Sequence, residues 1–470
     1  MSGKYKKCLF VCVFVLQGLL LSAQDGAAAG IQPVPKNSRT WAMAGNPESP
    51  QPPRKPVLPL RNRTFEISIA QTSVYASNVF AGGDFLRSPF RILGNMIGAG
   101  GFSGLLDDPG LYYLDDASPI TIEDILKGFR SDFGGSIAPL SINVNIKDRW
   151  GFGFDFGHTV FTGNMLVPEV VLDPEKASSG TFDVGVAAFT DFAVPVFFHL
   201  GDFKVKVRPA AYVPLLYVKP DIRYDFGPVT DENGRLDERF ELSYDMRIFS
   251  PFSLEGMLGG GGFDMGNMSG IGGSLGYDVS FGVEYPIYSW LSAGVDIVNL
   301  PLVPARPEHY ARMSGSVVYD TGDIDPNAVS EGKADIAGGM PEINPEDTVF
   351  GRNSDTRILR PFAMLAYANY RPFRGRIVTL IPSFGFSVNR LYVRPASVEG
   401  GLSARVDLAN IFATTVGVNY NDRRWRNSLD FMLNLRVIEI NFGVSLQAHD
   451  FVRSFKGYGF GAGIGLKMGW

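Results

Sequence analysis

From Thr64 to the C-terminus, apolar and polar residues alternate in one stretch after another. Phe65, Ile67 and Ile69 are interleaved with Glu66, Ser68 and Ala70. Leu140, Ile142, Val144 and Ile146 precede a Lys147-Asp148-Arg149 turn, and Trp150, Phe152, Phe154 and Phe156 follow it. Even positions stay apolar from Phe182 to Leu200 apart from Thr190, and Gly201-Asp202 then reverses the chain. Phe203, Val205 and Val207 next oppose Lys204, Lys206 and Arg208, in a pattern that runs on towards Tyr224 and Phe226. The same period returns in 240–248, 275–285, 291–297, 378–388, 406–420, 429–435 and 438–448. Successive side chains of a strand point to opposite faces, so each stretch predicts a strand with one apolar face.

The last stretch, Tyr458 to Trp470, reads YGFGAGIGLKMGW. Its even positions are all apolar and its odd ones are glycine except Lys467. In a soluble sheet such an edge invites aggregation, whereas a closed barrel in a membrane has no edge and needs a greasy outer face. A final strand ending in an aromatic also resembles the assembly signal of bacterial outer-membrane β-barrels. That resemblance marks Tyr458, Phe460, Ile464, Leu466, Met468 and Trp470 as candidate assembly residues. The fold expected is all-β, a transmembrane antiparallel β-barrel of roughly 14–16 strands, an even number because both termini share a side. Counting back from a descending final strand places His449–Phe455 outside, a tight turn near Val437 inside and Asn421–Asn427 outside. With a turn at Asn410, residues 299–357 become a long external loop.

Composition agrees with that reading. The chain is 45% hydrophobic and 13% aromatic with 55 glycines and a mean hydropathy of +0.05, yet it has no run of apolar residues long enough for a membrane helix. Residues 1–23 read as a secretory signal peptide, with Lys4, Lys6 and Lys7 ahead of the apolar Cys8–Leu21 core and a small-residue exit at Ala23. Both cysteines, Cys8 and Cys12, lie in this segment, so cleavage leaves no disulfide or thiolate metal site. Its removal also takes three lysines and no acid, moving the net charge from −5 to −8, and no basic tract suggests nucleic acid. Residues 24–63 are Pro-rich and read as a disordered periplasmic tail. The barrel is expected over 64–470, interrupted by an insert at 72–138 that is too long for an ordinary connection. Phe85, Leu86, Phe90, Ile92, Leu93, Met96 and Ile97 need somewhere dry, so the insert is expected to fold inwards as a plug, the alternative being an external loop.

The search for chemistry is mostly negative. His158, His199, His309 and His449 are scattered at expected strand ends or loops and never share metal-ligand spacing. Gly272-Gly273-Ser274-Leu275-Gly276 matches a hydrolase nucleophile pattern but lacks the strand-turn-helix context that the motif requires. No dinucleotide or phosphate loop is present. The expectation is a non-enzyme without metal or cofactor. More informative are the charges opposite the apolar faces. Asp183, Asp191, Lys204, Lys206, Arg208, Asp278, Glu284, Asp296 and Glu439 are the candidate lumen-lining residues, and Asp155, Arg405, Asp407, Asp430 and Arg436 share their parity. They read either as a mutually paired interior or as a charge ladder that sets the selectivity of a pore. Trp150, Tyr217, Tyr285, Trp290, Tyr370, Tyr420, Trp425 and Trp470 suit interfacial aromatic girdles.

Segments 204–226 and 427–470 resemble an uncharacterised family of spirochaetal outer-membrane proteins. The resemblance implies location and architecture and brings no catalytic residues. A weaker likeness is to long-chain fatty-acid transporter barrels, although their short N-terminal plug motif is not recognisable here. The function expected is a porin-like channel or passive transporter of small or hydrophobic solutes in the outer membrane of a diderm bacterium. The expected partners are outer-membrane lipid, the barrel assembly machinery and an external ligand at 299–357. A surface interaction protein acting through that segment is the alternative, and an outer-membrane hydrolase a remote one.

Overall fold

The computed structural model describes residues 65–77, 129–146, 150–167, 178–230, 236–255, 269–320, 342–345, 348–352, 355–372, 377–388, 396–408, 411–421, 424–435, 437–448, 451–456 and 459–469. The expected signal, the tail and 78–128 of the insert lie outside these residues. Strand β1 (Phe65–Ser77) pairs on one side with β2 (Phe129–Ile146), so both ends of the expected 72–138 insert are wall strands. Strand β1 runs on to Ser77 and β2 begins at Phe129, with a register shift between Ile137 and Leu140. From β2 the sheet runs through β3 (Trp150–Val167) to β4 (Ser178–Ala193), which β5 (Val196–Leu200) continues past a break at Val194-Pro195. Next comes β6 (Phe203–Thr230), the longest strand.

At β6 the sheet forks. Its lower half, Lys204 to Tyr212, pairs with β8 (Gly276–Tyr288), and its upper half, Tyr217 to Thr230, pairs with β7 (Leu236–Ser250). The wall continues from β8 through β9 (Leu291–Val303) to β13 (Phe362–Tyr370). The upper branch continues from β7 through β10 (His309–Asp320) to two short strands, β11 (Glu342–Pro345) and β12 (Val349–Arg352). Much of the 299–357 segment, expected as a loop, is therefore sheet. Strands β7 and β10 stand end to end with β8 and β9, and extend the wall outwards.

Six regular strands complete the ring. They are β14 (Val378–Val388), β15 (Ala396–Leu408), β16 (Phe412–Asn421), β17 (Arg424–Leu435), β18 (Ile438–Ala448) and β19 (Gly459–Gly469). Pairing of β19 with β1 closes a 14-strand antiparallel barrel, so neither the first nor the last strand is an edge. The described short helices are α1 (Ser269–Gly273) and α2 (Phe451–Lys456), and neither is long enough to cross a membrane. The start of β1 and the end of β19 meet at one rim, where Glu66 opposes Gly469. Connections at that rim are tight, as at 147–149, 201–202 and 436–437, and the chain reverses between Leu408 and Ile411 beside Asn410. Long connections lie at the opposite rim, the asymmetry of an outer-membrane barrel.

Exposure is inverted relative to a water-soluble sheet. Phe152, Phe154, Phe192, Val283, Phe384, Leu402, Val416, Phe442 and Ile464 are exposed, while Glu66, Asp191, Asp278, Glu284, Arg405, Glu439 and Lys467 are buried inside. Only a solvent as apolar as lipid suits the outer face. Two bands of rings mark its rims. Tyr288 stacks on Trp290, which meets Tyr370 edge-on, near the rim where β1 begins, and Tyr420 and Trp425 meet at the far side. Tyr217 is not in either band, because it faces inwards. A bulge explains this. Ala188 opposes Leu216 but Phe189 opposes Pro214, so Leu215 is an extra residue that swaps the two faces of β6 above it. Ser250 Oγ donates to the Leu215 carbonyl at 3.0 Å. That bond lets the bulge persist.

Candidate functional site

Inside the fork, the chain between β12 and β13 bends across the lumenal surface of the wall. Ala305 and Ile358 exchange two backbone hydrogen bonds of 2.9 Å, and Tyr212 Oη donates to the Ile358 carbonyl at 3.0 Å. Asn299 Nδ2 holds the Pro361 carbonyl at 3.0 Å from a left-handed backbone (φ 53), a conformation Asn tolerates better than most residues. These bonds fix Arg360 over the Tyr212 ring, its guanidinium 5.0 Å from the ring centre, close enough for cation–π attraction. Gly276 lies directly opposite Tyr212, and any side chain there would run into that ring and the Ala305 nitrogen.

Arg360 links a chain of alternating charges. Its Nε and Nη2 each donate to Asp278 at 2.7 Å, and its Nη1 lies 3.4 Å from Asp191. Arg208 Nη2 reaches Asp191 at 2.7 Å and its Nε reaches Asp155 at 3.2 Å. Ser141 Oγ completes the run, donating to Asp155 at 2.6 Å. The order Asp155–Arg208–Asp191–Arg360–Asp278 thus crosses β3, β4, β6 and β8. Bidentate geometry at Asp278 makes the Arg360 end the stronger and more directional one. Just outwards of this chain, Phe189, Tyr212, Phe249 and Ile358 pack with Tyr217 and Tyr310 as an apolar shelf. Above the shelf, Asp221 pairs with Arg223 and Asp245 with Arg312 on the exposed inner face of the extension.

The expected lumen-lining residues separate into groups. Asp191, Arg208 and Asp278 meet in the charged chain. Lys204 pairs with Glu284 at 3.4 Å lower on the same wall. Lys206 and Asp296 flank Gly282 on either side of one rung. Glu439 stands apart on β18, 3.8 Å from Lys467 of β19. Asp183 lies in β4 opposite Leu166, and its side chain is outside the described residues. The lysines and Arg208 therefore sit beside their acids on one wall and do not face them across the lumen. Of the assembly candidates, Ile464, Leu466 and Met468 lie on the outward face of β19, Phe460 falls in the strand, and Tyr458 and Trp470 are outside the described residues.

One sequence expectation about an isolated residue changes. His158 is not at a strand end: it lies within β3, with Nδ1 2.8 Å from Thr190 Oγ1. Ser274 of the hydrolase-like pattern accepts the Glu308 N–H at 3.2 Å and closes a turn after α1. Arg360 and Tyr212 were missed. Arg360 occupies a connector without period, and Tyr212 continues the polar parity of Lys204, Lys206 and Arg208, where an aromatic gives no sign of a charged neighbour.

With this geometry in hand, known proteins offer limited company. No protein-family model and no curated protein matches the chain. Similar solved structures include the Ralstonia pickettii toluene transporter TbuX (8% identity, TM-score 0.41, covering 94% of this chain and 99% of that one). The CymD monoaromatic hydrocarbon channel is 9% identical with a TM-score of 0.43, covering 96% of this chain and 98% of its own. A Pseudomonas aeruginosa FadL homologue is 11% identical with a TM-score of 0.39, covering 91% and 97% respectively.

Proposed function

We propose that the protein is a passive channel for small solutes in the outer membrane of a diderm bacterium. The observation that carries this reading is the inverted wall, apolar outside and lined inside by ionised and amide side chains. A barrel that only had to persist in lipid would gain from an apolar filling, because buried ion pairs are weak sources of stability. The Asp155-to-Asp278 charge chain forms the lumenal surface that a solute meets after the aromatic shelf of Phe249, Tyr217 and Tyr310. Fixed charges at such a level select among ions and polar solutes. Kinship with the spirochaetal outer-membrane family rests on segments 204–226 and 427–470 alone. Purified protein in planar bilayers or in solute-loaded liposomes tests the function. Discrete conductance or solute-dependent swelling is expected, and a correctly inserted protein that passes neither ions nor small neutral solutes would refute it.

A second reading has one observation of its own. Strands β10 to β12 rise beyond the wall and expose Val349 and Phe350, as a contact surface for an external ligand would require. Protease trimming between β10 and β11 that abolishes ligand capture while sparing conductance would favour it.

A further inference from the structure

Helix α2 is the connection between β18 and β19 at the external rim, and it does not cover the mouth of the barrel. Three contacts place it outside the wall. On β17, residues Leu429, Leu433 and Leu435 are exposed to the outside, so Trp425 and Asn427 of the same parity also face outwards. Asn427 Nδ2 donates to Ser454 Oγ of α2 at 2.8 Å, and the Phe451 ring meets Trp425 edge-on at 4.8 Å. Ala448 continues the outward face of Ile438, Ile440 and Phe442, yet it is only 1% exposed, because its short side chain lies beneath the helix.

A primary amide on the outer face of a membrane barrel costs free energy unless it finds a partner. Ser454 supplies one, is itself fully buried, and donates its own proton to the Phe451 carbonyl at 2.6 Å. With Ser454 fastened to the wall, Val452 and Phe455 point away from it at 60% and 52% exposure, and Phe451, edge-on to Trp425, stays 43% exposed. These side chains continue the exposed apolar belt of Leu429 and Phe442 and the aromatic band of Tyr420 and Trp425. Short amphipathic elements with such a face bury it at the boundary of headgroups and acyl chains.

We propose that α2 is a lipid-docking element, seated at the headgroup–acyl boundary of the outer leaflet and locked to the wall by the Asn427–Ser454 bond. Lipid is the occupant because the exposed face is continuous with the lipid-facing wall and has no lumenal contact among the described residues. This inference rests on the membrane-barrel reading, and the test separates the two. Full-length chains carrying Cys8→Ser and Cys12→Ser receive one fluorophore, at Val452→Cys or at the mid-wall control Phe442→Cys, and are reconstituted in vesicles. Nitroxide lipids labelled near the headgroup should quench the probe at 452, deep nitroxides should quench the one at 442, and aqueous iodide should reach neither. Adding Asn427→Leu and Ser454→Ala should move the 452 probe from nitroxide to iodide quenching while 442 is unchanged. If 452 is quenched by iodide while 442 answers to deep nitroxide, the docking proposal is overturned and the barrel reading stands. If 442 also fails to meet lipid, the membrane reading itself falls. If the 452 probe meets neither quencher and cross-links to a second copy, the face is a protein contact and lipid docking is refuted.

Discussion

Arg360 holds two acids and an aromatic ring at once, Asp278, Asp191 and Tyr212. Replacing it by Gln leaves Asp278 and Asp191 without their shared base. Breaking a buried pair from one side costs about 3–5 kcal/mol, so Arg360→Gln should lower the thermal unfolding midpoint of the refolded barrel. It also removes one positive charge from the lumen, and the reversal potential in a salt gradient should shift towards cation preference. Arg360→Lys, which keeps charge without the planar fork, should restore selectivity more than stability. A neighbouring prediction concerns space. Gly276→Val would collide with Tyr212, an overpacking cost of about 1–3 kcal/mol. Gly272→Val, where nothing lies within 4 Å, is the matched control and should unfold like the parent.

At the scale of elements, the bulge at Leu215 determines which way the upper half of β6 faces. Ser250→Ala leaves the half-buried Leu215 carbonyl without that donor, a loss of about 1 kcal/mol. Amide exchange should accelerate in β7 and the upper half of β6, and β14 to β18 should be unaffected. The sequence carries a trace of this device. Apolar positions are odd at Phe203, Val205 and Val207 but even at Tyr224 and Phe226, so a face change between them was legible. Its site was not, since a bulge is placed by the register of the neighbouring strand, and β4 supplies that register through Ala188 and Phe189. The final strand was more transparent. Ile464 is 57% exposed on the outer face near the middle of β19, and Ile464→Arg should cost about 2–4 kcal/mol in a lipid-embedded barrel. Equilibrium unfolding in vesicles measures it.

For the whole molecule, closure is what gives β19 its meaning. Its greasy side is lipid-facing, and its glycines form part of the lumenal wall between Lys467 and the polar faces of β18 and β1. Deleting Trp470 should reduce the fraction of chains inserted in the outer membrane, as read by heat-modifiable mobility and surface labelling, while the refolded protein keeps its conductance. Full insertion of the truncated chain would count against an assembly role for the terminus.

Period-two alternation determined the strands and their two faces, and with the terminal glycine strand it implied closure, because strand geometry ties side-chain direction to sequence parity. Short turns also marked the rim at which β1 begins and β19 ends. Only the tertiary structure decided the fork at β6, the inward path of 355–361 and the partners of each charge. Those depend on register between strands far apart in sequence, as Arg360 meeting Asp278 and Asp191 shows. No local pattern encodes such meetings, since a connector that breaks the period carries no parity from which its direction follows.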